Sequence, residues 1–324
     1  MRKFIALSAI LLVTIAAFYF SACNSSTPEP QATSKEDSLK SVIARGEYLV
    51  HHVAACMDCH SQRDFSKFSG PEIPGIEGGG GLRIDEALVG HAIPGVLYTK
   101  NITPDPETGI GSWTDEEILR ALTQGISKNG DTLFPLMPYV GYNAMAKEDL
   151  SSIIAYLRTI KPVKNKVPPR QLMVPVSMVY PAPMLKPSIE NNVRPSESDT
   201  VKYGEYLITM ANCIDCHTRP TPQGPDMSRM YAGGFTFNLP SNKVTTANIT
   251  PDSVTGIGSW TADMFVERFR HNSGEEYMNH DPADMNTIMP WGLLGKMEEK
   301  DLRAIYAYLR TIPPISNKIE KYPK

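Results

Sequence analysis

Two thiols separated by two residues and followed at once by an imidazole occur twice in the chain, as Cys56-Met57-Asp58-Cys59-His60 and Cys213-Ile214-Asp215-Cys216-His217. Cysteines three positions apart on a helical turn reach the two vinyl groups of one porphyrin and become thioethers, and the adjacent histidine is held beneath the iron. The pattern therefore predicts two covalently bound haem c groups. Cys56, Cys59, Cys213 and Cys216 would be the attachment points, and His60 and His217 the proximal iron ligands. Cys-x-x-Cys also serves structural zinc, where the two motifs together would make a four-sulfur cluster, and thioredoxin-like dithiols. Neither explains a histidine directly after the second cysteine in both motifs.

A haem with one protein ligand has an open face for substrate, whereas a haem with two is built to pass electrons. The residues facing His60 and His217 therefore decide the chemistry. Met137 and Met289 are the candidates, because each lies after its motif in a loop and each is followed by proline and an aromatic residue. A thioether favours ferrous iron and raises the reduction potential. Met145 and Met297 also correspond, but they stand at the start of a helix and read as core. Met285 is a weaker rival. The spare histidines His51, His52, His91, His271 and His280 occur at no matched positions, and surface or supporting roles suit them better than ligation. No separate catalytic constellation is visible.

The elements that must position these residues are written twice. The first repeat reads Gly46-Glu47-Tyr48-Leu49, the haem motif, Asn101-Ile102-Thr103-Pro104-Asp105, Thr108-Gly109-Ile110-Gly111-Ser112-Trp113, Met137-Pro138-Tyr139 and Tyr156-Leu157-Arg158-Thr159-Ile160. The second repeat has the same order: Gly204-Glu205-Tyr206-Leu207, its motif, Asn248 to Asp252, Thr255 to Trp260, Met289-Pro290-Trp291 and Tyr308 to Ile312. Leu39, Val42, Ile43 and Leu49 have helical spacing ahead of the first motif. Thr114-Asp115-Glu116-Glu117 is a capping box opening a helix through Ile118, Leu119 and Leu122. The matching helix opens at Thr261, lacks the box glutamate, and is expected to bury Met264, Phe265 and Phe269. Closing helices carry the stripes Leu150, Ile153, Ile154, Leu157 and Leu302, Ile305, Tyr306, Leu309. Each is expected to cross the helix before its own motif, with Gly46 and Gly204 permitting close approach or punctuating the helix. Turn residues fold the asparagine-to-tryptophan stretch into a compact loop. Its Trp113 and Trp260 would either donate an indole N–H to a haem propionate or serve as stacking core.

The remaining cysteine, Cys23, bears on the compartment. It comes after Met1-Arg2-Lys3, an apolar or small run from Phe4 to Phe20, and Ser21-Ala22, which is a signal peptide with its three regions in order. Phe20-Ser21-Ala22-Cys23 resembles the lipobox of bacterial lipoproteins, although Phe20 departs from the usual leucine. Lipidation at Cys23 would tether the protein on the periplasmic side of a bacterial membrane, an effectively permanent anchor with two or three chains. An uncleaved membrane span is the other reading, and the apolar run is short for one. Residues 24 to 38 read as a flexible tether. Between the repeats, residues 161 to 200 hold eight prolines, which forbids regular helix or sheet. Leu172, Met173, Val174, Val176, Met178, Val179 and Tyr180 make the middle of that stretch too apolar for a solvated linker, so a packed strap is expected.

The 324 residues and 41% hydrophobic content suit about two packed domains. Loss of Arg2 and Lys3 with the signal moves the formal charge from -3 to -5, and no basic patch supports nucleic-acid binding. The expected divisions are 1-22 signal peptide, 23-38 tether, 39-160 first domain, 161-200 strap, 201-315 second domain and 316-324 tail.

Asn-Ile-Thr-Pro-Asp, Thr-Gly-Ile-Gly-x-Trp-Thr, Met-Pro-aromatic and a closing Ala-Tyr-Leu-Arg helix, recurring in order, resemble the multihaem cytochrome c subunits of membrane-bound alcohol, aldehyde and gluconate dehydrogenases. The resemblance implies a mainly α fold of two tandem class I cytochrome c domains, with Met137 and Met289 as distal ligands. It implies electron transfer, and the expected course runs from a dehydrogenase or quinol donor to a soluble cytochrome or terminal oxidase. Those subunits typically carry three haem domains and this chain has two, so the donor does not carry over. The rival function is a haem enzyme, thiosulfate dehydrogenase-like or peroxidase-like, with one open or switchable iron.

Overall fold

The computed structural model describes residues 35–90, 93–173, 175–176, 185, 188–221, 224–279, 281–282 and 285–324. The signal segment, Cys23, His91, His280 and Val174, Met178, Val179 and Tyr180 of the proline-rich stretch lie outside the described residues. Contacts divide the chain into Met1–Lys40 and Ser41–Lys324. Of the first unit only 35–40 are described, and there Lys40 pairs with Glu36 at 2.8 Å across one helical turn. Both haem motifs and the whole of the hydrophobic core belong to the second unit.

Each repeat begins with a leading helix, Lys35–Tyr48 or Thr200–Met210, and ends with a closing helix, Lys147–Leu157 or Glu299–Leu309. The helices meet where glycine allows it. A β-carbon on Gly46 would stand 1.9 Å from the Ser152 carbonyl oxygen, and one on Gly204 would stand 1.9 Å from that of Ala304. The expected stripes face inward: Leu150, Ile153, Ile154 and Leu157, and Leu302, Ile305 and Leu309, are all buried. Between them run the middle helices Asp115–Gln124 and Ala262–Asn272. Thr114 and Glu117 close a capping box in the first, and Thr261 caps the second alone. Met264, expected in the core, is 48% exposed. One residue on, a helix turns by about 100°, so Phe265 and Val266 take the inner face instead.

The repeats differ by one residue between the leading glycine and the first cysteine. Gly46 precedes Cys56 by ten positions and Gly204 precedes Cys213 by nine. The first repeat absorbs the extra residue as a π-helical turn, Leu49–Val53, which contains His51 and His52. Both motif helices, Cys56–His60 and Cys213–His217, then start from a left-handed residue, Ala55 at φ 46° and Asn212 at φ 50°.

Sheet is confined to short hairpins. Arg83–Asp85 pairs antiparallel with Gly95–Tyr98, whose other edge takes Gln171–Leu172, and Thr236–Asn238 pairs antiparallel with Lys243–Thr245. Ile84 and Leu97 from the first sheet pack with Phe237 and Val244 from the second in a small satellite core. The proline-rich stretch begins extended. Val163 N–H bonds Thr103 Oγ1 at 3.0 Å and Asn165 Nδ2 bonds the Gly79 carbonyl at 2.9 Å. Val176 and Ile189 are buried, whereas Met173 is fully on the surface.

The main core runs through both repeats without interruption, from Leu49, Leu150 and Ile153 to Leu207, Met297 and Leu302. A reciprocal exchange of hydrogen bonds seals it. Tyr48 donates to Asp301 Oδ2 at 2.7 Å and accepts the Glu298 N–H at 2.9 Å. Tyr206 donates to Asp149 Oδ2 at 2.7 Å and accepts the Ala146 N–H at 3.2 Å. Each leading helix thus caps the closing helix of the other repeat, satisfying first-turn N–H groups that a helix leaves unpaired.

Candidate haem sites

In both motifs the histidine is oriented by a backbone carbonyl. His60 Nδ1 lies 2.7 Å from the Lys100 oxygen, and His217 Nδ1 lies 2.8 Å from that of Ala247. A carbonyl only accepts, so Nδ1 carries the proton and Nε2 keeps its lone pair, the tautomer a metal ligand needs. Burial lowers both imidazoles below the ordinary histidine range, which keeps them neutral and able to ligate. Both rings are nevertheless only half-buried.

No disulfide joins the four cysteines. Burial pushes the Cys56 and Cys213 thiols up to about 12 and the Cys216 thiol higher still, while Cys59 stands exposed beside them. A redox dithiol needs the opposite, a depressed thiol. Nor do three or more His, Cys, Asp or Glu groups converge to hold a metal ion among the described residues, which argues against a zinc cluster. The thiols fit covalent capture by a hydrophobic macrocycle better than either rival.

The expected partners of each motif border the same core. Cys56, Trp113 and Met137 are partly buried against it in the first repeat, and Cys213, Trp260 and Met289 in the second. Met145 and Met297 are fully buried within it, and Met285 is exposed. His51 bonds the Tyr156 hydroxyl at 2.8 Å, His52 donates to the Leu293 carbonyl at 3.1 Å, and His271 packs beside Tyr277. The asparagine-to-tryptophan loop folds on itself identically in both repeats. Asn101 Oδ1 takes the Thr103 N–H at 2.9 Å and Asn248 Oδ1 takes that of Thr250 at 3.0 Å. Asn101 Nδ2 bonds the Val163 carbonyl and Asn248 Nδ2 that of Ile315, both at 2.7 Å.

Desolvation raises the Cys59 thiol first and Asp58 next, with Arg63 opposing and Cys56 and then Asp215 of the other repeat adding less; Cys216 is raised by burial, then by Asp215, Cys59 and Asp58. Tyr142, fully enclosed and raised by burial first, feels Cys56, Cys59 and Asp215 together. Cys56 and Cys213 of the two attachment turns pack against the one shared core.

Several residues that join the repeats were named by no chemistry in the sequence. Tyr48 and Tyr206 lie in the repeated Gly-Glu-Tyr-Leu, and Asp149 and Asp301 recur at matched positions, so the duplication alone could have flagged their bonds. Arg63, Ser69 and Asn286 have no matched partner and left no such signal.

Known proteins give the same picture. The chain is 31% identical over 299 residues to the cytochrome c subunit of a quinone-linked alcohol dehydrogenase from Gluconobacter oxydans, covering 88% of this chain and 57% of that protein. It is 30% identical over 321 residues to the cytochrome subunit of fructose dehydrogenase from Gluconobacter japonicus, covering 97% and 60%. The chain is a homologue of dehydrogenase cytochrome c subunits. This cytochrome is also 28% identical over 318 residues to a dihaem cytochrome c-type protein of Cereibacter sphaeroides, with 95% of this chain and 97% of that protein aligned. It spans less than two thirds of the dehydrogenase subunits it matches. No family model matches it. The homology and the two motifs together assign covalently bound haem c to the cytochrome. No helix among its described residues is long and apolar enough to cross a membrane.

Proposed function

We propose that this cytochrome is a dihaem electron carrier, with His60 and Met137 ligating one iron and His217 and Met289 the other. Haem c, when bound, supplies a one-electron couple at each site. The chain's own residues do the rest. The thiols of Cys56, Cys59, Cys213 and Cys216 form the tethers, and the Lys100 and Ala247 carbonyls aim the imidazoles. The loops at Met137 and Met289 present sulfur from the other side. Trp113 and Trp260 border the sites, where an indole N–H would suit a propionate. The observation that carries the reading is the single core against which Cys56 and Met137 of the first repeat and Cys213 and Met289 of the second all pack. Two redox sites placed together suit passing electrons between them.

The same reading extends to organisation and place. Residues 39–160 and 201–315 are two class I cytochrome c units joined by a strap at 161–200. A lipid on Cys23 holds them at the periplasmic face of a membrane, after removal of residues 1–22. The dehydrogenase-subunit relatives support a dehydrogenase as electron donor, with a soluble cytochrome or terminal oxidase downstream. A fatty-acid label should appear on the protein and disappear in Cys23→Ser, and a parental protein that takes up no label would exclude the lipid anchor.

Absorption spectroscopy tests the ligation directly. The purified protein should contain two haems per chain, and the weak far-red ferric band that reports sulfur on iron should integrate to both. Met137→Ala and Met289→Ala should each remove half of that band. A high-spin haem at rest, or rapid reaction of the resting protein with peroxide, would overturn the carrier reading in favour of a haem enzyme.

A further inference from the structure

The loop that carries Met289 is held from outside its own repeat. Ser69, in the first repeat and 2% exposed, donates its hydroxyl to the Met289 carbonyl at 2.6 Å and accepts at 3.1 Å the Trp291 N–H, which is shared with the Met289 carbonyl at 2.8 Å. It therefore bridges the residues on either side of Pro290. The Ser69 N–H is fixed on Asn286 Oδ1 at 2.9 Å. Asn286, fully buried, returns its Nδ2 to the Phe65 and Lys67 carbonyls at 2.9 and 3.2 Å. Ser69 stands at φ 63°, a left-handed conformation that costs an L-residue about 1–2 kcal/mol and persists only where its surroundings impose it.

Arg63, whose side chain is 2% exposed, completes the arrangement. It donates to the Ser69 carbonyl at 2.5 Å, to Gly70 at 2.7 Å and to Ile288, next to Met289, at 3.3 Å. Its remaining nitrogen pairs with Asp58 Oδ1 at 2.8 Å. Asp58 lies between Cys56 and Cys59. One contiguous set of bonds thus runs from the first attachment turn, through Arg63 and Ser69, to the backbone of the second distal methionine.

The arrangement is not reciprocated. Pro220 stands three residues after His217, as Arg63 stands three after His60, and proline has no side-chain donor. Among the described residues, the Met137 carbonyl takes only the Tyr139 N–H, at 2.8 Å and from its own repeat.

We propose that Ser69 and Arg63 are positioning residues for the second iron site, clamping Met289 from the first repeat so that ligation there depends on the first motif's loop. The inference rests on Met289 being the distal ligand. Release of Met289 from the iron it would ligate would require its loop to move, and the clamp would oppose that motion. A hydrogen bond contributes about 0.5–1.5 kcal/mol net, so losing the hydroxyl's bonds should raise the open fraction about tenfold. An added ligand that enters only the open form then binds more tightly by the same factor.

Imidazole titration of the ferric, full-length holoprotein reads this out. Ser69→Ala removes the hydroxyl, and Ser69→Gly removes it while relieving the left-handed turn. In both variants one haem of the two should bind imidazole about tenfold more tightly, with the other unmoved. Arg63→Gln should move the same haem in the same direction. Parental affinity at both haems, or an equal change at both, would overturn the clamp. Met289→Ala separates ligation from clamping. If it leaves the far-red band whole, the ligand reading is at fault; if it halves the band while the Ser69 variants keep parental affinity, the clamp alone fails.

Discussion

Asp149 and Asp301 occupy matched positions on the closing helices, accept a tyrosine from the opposite repeat, and are both 1% exposed. Their charges are met differently. Asp149 receives Arg45 through two nitrogens at 2.9 and 3.0 Å and Arg194 at 3.3 Å. Tyr203 stands where Arg45 would be, and neither its hydroxyl nor Asp301 Oδ1 has a hydrogen-bond partner. Burial raises the Asp301 carboxyl above the ordinary carboxylate range against the Tyr48 hydrogen bond; Glu298 adds to the rise, while Lys300 and Arg45 oppose it. The unfolded chain releases this proton near pH ~4 and the folded chain at higher pH, so stability falls as pH rises through that interval. Asp301→Asn keeps an acceptor for Tyr48 and cannot ionise. It should therefore shrink the loss of unfolding free energy between about pH 4 and about pH 7. Asp149→Asn strands Arg45 and should cost about 3 kcal/mol at both. Guanidinium unfolding of the ferric holoprotein at the two pH values checks both, and indistinguishable behaviour of the variants would sink the distinction.

Among the elements, the crossing of leading and closing helices depends on the absence of a side chain at one point in each repeat. A methyl group at position 46 or 204 would lie 1.9 Å from a backbone oxygen, and backbone in a packed helix pair cannot retreat as a flexible side chain can. Gly46→Ala and Gly204→Ala should each destabilise by about 3 kcal/mol or more, seen as a lowered thermal midpoint; a loss below about 0.5 kcal/mol would show the helices are not locked there. This crossing was legible in the sequence because helical periodicity, the capping box at Thr114 and a glycine recurring in both repeats are local or repeated signals. The motifs likewise named their own chemistry. What stayed hidden has a common physical cause. Ser69 and Met289 are 220 residues apart, and a hydroxyl bonded to a distant carbonyl leaves no periodic or compositional trace. Met264 showed the limit of periodicity itself, since an apolar residue one position off the inner face still fits a loose stripe. The π-helical turn was written as one extra residue before Cys56, but only its register against the motif turns that residue into a bulge.

At the scale of the whole molecule, the duplication has not produced two independent bodies. One core passes through both repeats, Tyr48 and Tyr206 cap each other's closing helices, and Asn286 is fully buried with its amide on the first repeat. Separating the repeats would part the Trp291–Leu294 helix from the Leu49–Val53 turn, break both tyrosine bonds to buried aspartates, and strand the Asn286 amide. Each stranded buried polar group alone costs about 1–3 kcal/mol, a large part of the 5–15 kcal/mol that usually stabilises a domain. Neither repeat should then survive the loss of the other, and Ser41–Lys324 should melt as one cooperative unit. Calorimetry of the ferric holoprotein should give a single transition whose calorimetric and van't Hoff enthalpies agree. The haem absorption band and far-ultraviolet circular dichroism should report the same midpoint. Two resolved transitions, or a first repeat expressed alone that melts as it does in the full chain, would show that the repeats are separate domains resting against each other. A single transition would mean that the second site's methionine and the first site's attachment turn are released together, as the shared core and the Arg63–Ser69 contacts require.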